Sequence, residues 1–515
     1  MKLLIRYALY ILTAIVVIQC KKDDNVPDYK TADENFLNAL IKLGIDTDGD
    51  GIISSEEAGA ITSLDVSSCN ISDMTGIETF INLTYLRCSF NNFTRLDVSK
   101  CKSLKNLDCT YNSFLTSLDI SGNSDLEGLS CCNGNLTSLD ISNNISLVDL
   151  NCDFNQLTDL DVSFNVLLRY LQCSNNKLTT LDITKNTALY LINCGYNQLT
   201  TIDVTKNSSL RDLYCYNNQI ASLNVSQNTA LETLFCSTNQ LTTIDVTNNT
   251  ALELLQCGNN QITDLDISKN TAIDELDCSY NQLQTLDVSS DPGLTNLVCN
   301  NNQLAILIIS NNIDLNNLTC SSNQLTSLDV SNNTVLSSLN CAGNNLASLD
   351  VSYCLDLRFL YCDGNQLSVL DITGNPKITS LYCEGNQLSV LDITGNPKIT
   401  SLYCSGNKLS TLDVSSQPDM HNLYCGDNQL TSLSIANLLD LWILSCGGNQ
   451  MSSLDISKNT SLGLGQGEWM GCFLDIGNMP SLEKVCVWRL PFPPADFALC
   501  ADGSPNVYFA TDCSK

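Results

Sequence analysis

The plainest chemistry in this sequence is confined to twelve residues, Asp46-Thr47-Asp48-Gly49-Asp50-Gly51-Ile52-Ile53-Ser54-Ser55-Glu56-Glu57. Carboxylates at the first, third, fifth and last places are hard oxygen donors, spaced so that one loop can wrap a calcium ion. Asp46, Asp48 and Asp50 would each supply an oxygen, Gly51 would allow the sharp turn, and Ile52 would offer its backbone carbonyl. Ser54 would act directly or through water, and Glu57 would close the shell with both oxygens. The competing reading is an acidic Asp/Gly turn that holds no metal. Just upstream, Phe36, Leu37, Leu40, Ile41 and Leu43 recur at helical spacing and supply an entering helix.

This segment resembles an EF-hand loop. With one loop and no second to couple with, it reads as a structural calcium clip at an N-terminal cap, not as a sensor. The chain before it carries Lys2 and Arg6, then an apolar run from Tyr7 to Ile18 that stops at Cys20. That is a secretory signal, too short for a stable membrane span. Val16-Val17-Ile18-Gln19-Cys20 resembles a bacterial lipobox, which implies cleavage and lipidation of Cys20. Lys21-Lys22-Asp23-Asp24 resembles the export signal of lipoproteins sent to the outer face of the outer membrane. Together they imply an outer-membrane, lipid-anchored protein facing the cell exterior, with the lipid as its only membrane contact. A simple signal anchor or soluble secretion is the alternative.

Most of the remaining chain is one repeat, Leu-x-x-Leu-x-Cys-x-x-Asn-Gln-Leu-Thr-x-Leu-Asp-Val-Ser-x-Asn-x-x. Eighteen cysteines from Cys88 to Cys446 set its register at 21 residues, with one interval of 22. A period of this length, with this Leu and Asn spacing, is a solenoid pattern, and it resembles the leucine-rich repeat family, in its short IRREKO and internalin-like form. In Leu171-Gln172-Cys173 and in Leu181-Asp182-Ile183, apolar residues alternate with polar ones at period two, so each coil has two short extended sides. The expected fold is therefore a repeat solenoid: a parallel sheet on the concave side, short extended segments on the other, and a small helical N-terminal cap. The expected layout is 1–19 signal peptide, 20–32 lipidated N-terminus and linker, 33–62 helix plus calcium loop, 63–475 repeats and 476–515 C-terminal cap.

Three columns of the repeat bear on chemistry. Parallel neighbours hold the ladder cysteines too far apart, on parallel vectors, for disulfides, so buried free thiols acting as small hydrophobes are expected. The cap cysteines, and Cys69 with Cys101, are better disulfide candidates. The Asp of Leu-Asp-Val recurs in seventeen rows, from Asp65 to Asp475. It reads as a solvated acidic face that also hydrogen-bonds nearby turns, or as a column neutralised by bound cations. The Asn three residues after the ladder Cys, present in 17 of 18 rows with Gly134 the exception, can satisfy the backbone of tight turns.

The outward column just before each Cys varies from row to row, and leucine-rich repeat proteins usually bind partners with that face. Here it presents Tyr361, Tyr382, Tyr403 and Tyr424 in consecutive rows, with Phe359 and Trp442 beside them. This exposed strip is either a recognition platform or cross-strand packing that stabilises the sheet. Formal net charge is −30, from 55 acidic against 25 basic residues, and this argues against nucleic acid as a partner. The single His421 and the lack of a Ser/His/Asp set, phosphate loop or catalytic metal site argue against an enzyme, and the lack of a Cys-x-x-Cys pair argues against a metal-binding cysteine array. The expected function is a non-enzymatic cell-surface binding protein that recognises an unknown protein, or a glycan, through its concave face. The alternative is an envelope spacer with a calcium-stabilised acidic surface.

Overall fold

The computed structural model describes residues 33–464 and 471–513; Cys20 and the expected signal and anchor segments lie outside them. The chain opens with a helix, Glu34–Lys42, capped by Asp33, whose Oδ1 accepts from the amides of Asn35 and Phe36 at 2.8 and 3.0 Å. Its other oxygen accepts from the Ser72 amide at 2.8 Å and hydroxyl at 2.6 Å, which ties the cap to the first coils. The buried helix residues Phe36, Ala39 and Leu40 are part of the same apolar core as the coils. A capped helix that covers the first coil ends a stack whose core would otherwise open to water.

From Ser63 the chain winds into a parallel solenoid of about 21 turns. One strand per coil joins a 21-stranded parallel sheet, in which Leu213 pairs with Ile192 on one side and Leu234 on the other. Apart from the two-residue strands Leu474–Asp475 and Leu499–Cys500 at its end, each strand is three residues long with its middle residue buried, as in Tyr170–Gln172. The opposite side is extended but forms ladders only locally: Arg95–Asp97 with Ser117–Asp119, Thr285–Asp287 with Ile306–Ile308, and Ser453–Asp455 with Lys484–Cys486 and Tyr508–Ala510.

Two members of the expected Asp column belong elsewhere. Asp65 pairs with Arg87, and Asp475 with Ser445, both within the long sheet. The Leu-Asp pattern is common to both sides of a coil, so only the pairing with a neighbouring coil decides the side. The long sheet also runs on past Asp475, through Leu499–Cys500.

The core is a set of columns. The eighteen ladder cysteines are buried free thiols, and burial pushes Cys194, for example, up to about 12, so it stays protonated. Disulfides join Cys472 to Cys500 and Cys486 to Cys513. Cys69 and Cys101 do not pair. The Cys101 thiol is directed at the carbonyl of Ile77 at 3.2 Å and that of Cys69 at the carbonyl of Ser67 at 3.3 Å.

Cys101 belongs to a second column, mostly asparagine, whose role the repeat pattern did not reveal. Asn186 Nδ2 donates to the carbonyls of Val162 and Asn165 at 2.9 and 2.8 Å, whereas its buried Oδ1 has no hydrogen-bond partner among the described residues. A position that needs only a donor tolerates a weak one. Cys354 accordingly takes the same place, with its thiol 3.8 Å from the carbonyls of Val330 and Asn333.

A further column lies two residues after each ladder Cys and adopts the left-handed backbone. Thr238 has φ 56° and Tyr280 φ 52°, while later coils use glycine, as at Gly364 with φ 62°. Glycine holds this turn without the Cβ penalty that the earlier coils carry.

Candidate functional site

At the N-terminal loop, the side chains of Asp46, Asp48 and Asp50 converge, with one oxygen of each within 4.8 Å of the others. Backbone amides shape this cluster. Asp46 accepts from Gly49 at 2.8 Å and Gly51 at 3.0 Å, and Asp50 accepts from Ile52 at 2.8 Å. Gly49 and Gly51 have φ of 76° and 81°, which makes room for the turn.

Glu57 stands apart from the three aspartates. One of its oxygens accepts from the Thr47 amide at 2.6 Å and hydroxyl at 2.7 Å, and the other from the amide and hydroxyl of Ser54, both at 2.9 Å. Ser54 Oγ accepts in return from the Glu57 amide, completing a capping box on the helix Ser55–Gly59. Partial burial alone would raise the Glu57 carboxyl, but the hydrogen bonds from Ser54 and Thr47 hold it below its ordinary value. The donor set is all oxygen, as calcium requires, and Glu57 is already shared between closing the loop and capping the helix.

On the long sheet, the four tyrosines occupy adjacent strands in register: Tyr361 with Tyr382, Tyr382 with Tyr403, and Tyr403 with Tyr424. Their rings stack at centroid distances of 4.6, 4.1 and 4.4 Å. The coil spacing of about 4.8 Å lies close to the stacking distance of aromatic rings, so a column repeated without interruption becomes a pile. This corrects the expectation of an exposed strip. Tyr403 is 8% exposed and the other three are half-buried, so the rings cover each other's faces and present a ridge of edges and hydroxyls. Burial, and then the electrostatic influence of Glu384 and Tyr382, pushes Tyr424 up to about 12, so this phenol stays neutral.

Phe359 lies on the same face two residues before Tyr361 and is exposed, with no ring contact to the pile among the described residues. Trp442 belongs to a neighbouring column and stacks on His421 at 3.9 Å. The six expected residues thus divide into a pile of four, the flanking ring of Phe359, and Trp442, which pairs with His421 instead.

A second aromatic group stands at this sheet, and two of its members, Tyr214 and Phe235, are visible in the outward column of the sequence although not among the expected site residues. Tyr214 and Phe235 meet edge to face at 5.1 Å, and Tyr196 and Tyr216 do so at 5.4 Å. Tyr214 and Phe235 stand in the outward column between Asn193 and Gln256, whereas Tyr196 and Tyr216 lie in the turns that follow the strands, a signal weaker than four tyrosines in a row.

The Asp column on the opposite side acts locally. Asp182 Oδ1 accepts from the Thr184 amide at 2.9 Å and hydroxyl at 2.7 Å, and these bonds hold its carboxyl below the ordinary value. The same bonds recur at Asp203, Asp245 and Asp371. The expected turn-capping role is therefore present in coil after coil.

No protein-family model matches the chain. Internalin J of Listeria monocytogenes serotype 4b (strain F2365) is 40% identical over 68 residues, 13% of this chain and 7% of that protein. The chain thus spans only a small part of this curated relative's length. The solved functional domain of InlJ from Listeria monocytogenes, which includes a cysteine ladder, is 30% identical, over 84% of this chain and 77% of its own, with a TM-score of 0.46. The internalin InlF of Listeria monocytogenes str. 4b F2365 is 25% identical, over 64% of this chain and 95% of its own, at a TM-score of 0.52. YopM from Yersinia enterocolitica WA-314 shares the fold at 21% identity and a TM-score of 0.59, over 87% of this chain and 91% of its own. Repeat length, cysteine register, parallel coils and these relatives agree: the chain belongs to the leucine-rich repeat family, in its internalin-like form.

Proposed function

We propose that this chain is a non-enzymatic, cell-surface binding protein that captures a protein partner with its long sheet. The carrying observation is the division of labour between columns. Inward positions repeat Leu, Cys and Asn almost unchanged, whereas outward positions vary and include a ridge of four stacked tyrosines. Stacked rings are already ordered, so contacting them costs little side-chain entropy, and their hydroxyls give a polar edge to an apolar body. The similarity to Internalin J and to the internalin InlF agrees with this reading.

In this proposal Cys20 carries the lipid that holds the protein on the outer face of the outer membrane. No helix among the described residues is long and apolar enough to cross a membrane. One calcium ion, held by Asp46, Asp48, Asp50, the Ile52 carbonyl, Ser54 and Glu57, would rigidify the N-terminal cap. The test compares proteins captured by the parent with those captured by a variant carrying Ala at Tyr361, Tyr382, Tyr424 and Phe359. Loss of a specific partner at unchanged circular dichroism supports the reading. Identical capture by both assigns binding elsewhere, and no specific capture by either favours the spacer.

A further inference from the structure

A second, chemically different site lies on the long sheet, at a distance from the tyrosine ridge. Five consecutive coils place Gln172, Asn193, Tyr214, Phe235 and Gln256 side by side in the outward column. They line a half-open recess of about 500 Å³, with Tyr216 as one wall. At about 4.8 Å per coil, the five side chains extend over about 19 Å. The order is amide, amide, aromatic, aromatic, amide.

Three features set this recess apart. First, its lining holds no charged side chain, although the chain carries a net charge of −30. Second, its ring faces are not piled away. Tyr214 and Phe235 meet at an interplanar angle of 88°, so their mutual contact covers one ring face, whereas the rings of Tyr382 and Tyr403 lie 10° from parallel and cover one another. Third, its amides are unspent. Among the described residues, the side chains of Gln172, Asn217 and Gln256 make no hydrogen bond to protein. Asn193 commits only its Oδ1, to the Gly195 amide at 3.2 Å, and keeps its amino group for a ligand. The buried ladder asparagines, by contrast, spend their amino groups on backbone carbonyls.

Gly195 is part of the construction. A Cβ at that position would stand 2.8 Å from Cζ of Tyr216, so the absence of a side chain there is what lets the ring lie where it forms the wall.

We propose that this recess binds a short neutral oligosaccharide. The C–H face of a sugar ring is apolar with partial positive charge and complements the negative face of an aromatic ring. The hydroxyls at the sugar's rim both donate and accept, as do side-chain amides. An anionic chain would find no counter-charge in the lining and a repelling field around it. A purely apolar ligand would strip water from four amides without replacing its hydrogen bonds. This inference does not rest on protein capture by the tyrosine ridge, and either can fail alone.

The test uses the full chain and defined neutral hexasaccharides of glucose in α and β linkage, mannose, xylose and N-acetylglucosamine. Binding is read by calorimetry and by saturation transfer to the sugar protons. At least one neutral series should bind, with transfer strongest at C–H protons. Tyr214→Ala with Phe235→Ala should weaken it by about tenfold or more. Gly195→Ala, which displaces Tyr216 without removing any group that contacts sugar, should weaken it as well. Tyr361→Ala with Tyr382→Ala should leave it unchanged. If the aromatic double variant loses its circular dichroism spectrum, Gln172→Leu with Gln256→Leu decides instead, since both side chains face solvent. The proposal is overturned if no series binds at millimolar sugar, if binding survives the substitutions in a folded chain, or if oligogalacturonate binds as tightly as the neutral sugars.

Discussion

The backbone amide of Leu178 donates at 2.9 Å to the side-chain Oδ1 of Asn197, one coil further on. Asn197 Nδ2 simultaneously donates to the carbonyls of Cys173 and Cys194 at 3.0 and 3.1 Å, so a single amide closes turns in two coils. The equivalent link recurs between Leu157 and Asn176 and between Ile262 and Asn281. Replacing Asn197 with Ala leaves the Leu178 amide buried with no partner, whereas each carbonyl keeps a second donor. We expect a loss of about 3 kcal/mol. Asn186→Ala should cost only about 1 kcal/mol, because Val162 and Asn165 carbonyls also accept from the Asn165 and Leu168 amides. Urea unfolding of both variants measures the difference, and equal losses would contradict the assignment.

Thr238 is a β-branched residue held at φ 56°, exposed at a position where later coils carry glycine. Thr238→Gly relieves that strain and gives up little packing. It should stabilise the protein by about 1 kcal/mol, seen as a higher melting temperature. A lower melting temperature would mean that unfolded-state entropy outweighs the strain.

The ladder thiols are fully buried and protonated, so iodoacetamide should leave them unmodified in the native state. Cys69 and Cys132 are partly exposed and should be the first of the free thiols to react. Mass spectrometry after brief labelling locates the adducts. Labelling of Cys257 or Cys278 without unfolding would show that the core opens.

Calcium and Glu57 can be separated. If the loop binds the ion, calcium at a hundredfold over its dissociation constant adds about 2.7 kcal/mol to stability. Asp48→Ala with Asp50→Ala should abolish that gain and leave melting in chelator almost unchanged. Glu57→Ala should lower melting in both buffers, since it also removes the cap on Ser55–Gly59. A parent that melts identically with calcium and with chelator would remove the ion from the mechanism.

Burial pushes the Asp153 carboxyl up to about 6, against which the 2.6 Å bond from the Ser174 amide works only partly. The unfolded chain titrates this group near 3.9, so between about pH 6 and 4 the folded state binds more proton and stability rises as pH falls. Asp182, Asp203 and Asp245 act in the opposite sense. Hydrogen bonds from Thr184, Thr205 and Thr247 lower their carboxyls, so their stabilisation is present above the ordinary Asp value and is lost as pH falls through the folded values. The melting temperature should therefore peak between about pH 4 and 6, and Asp153→Asn should flatten the limb above the peak. An unchanged limb in that variant would assign the titration to another group.

The sequence by itself determined the repeat, the inward Leu and Cys columns and the free state of the ladder thiols. Period and alternation are local properties, and parallel register then follows from stacking identical units. It also located the acidic loop and the four tyrosines, because each sits in one short stretch or one column. The side of the coil to which Asp65 and Asp475 belong came only from pairing with the next coil. The donor-only role of the second Asn column likewise depended on which carbonyls lie within reach. The same holds for Glu57, whose carboxylate is divided between loop and helix cap. Spacing ranked the tyrosines first as an exposed strip, yet the coil rise piles them face on face, whereas Tyr214 and Phe235 meet edge to face and leave a recess. Side-chain packing between coils made that distinction, since ring orientation depends on the neighbours above and below and not on the residue's own row.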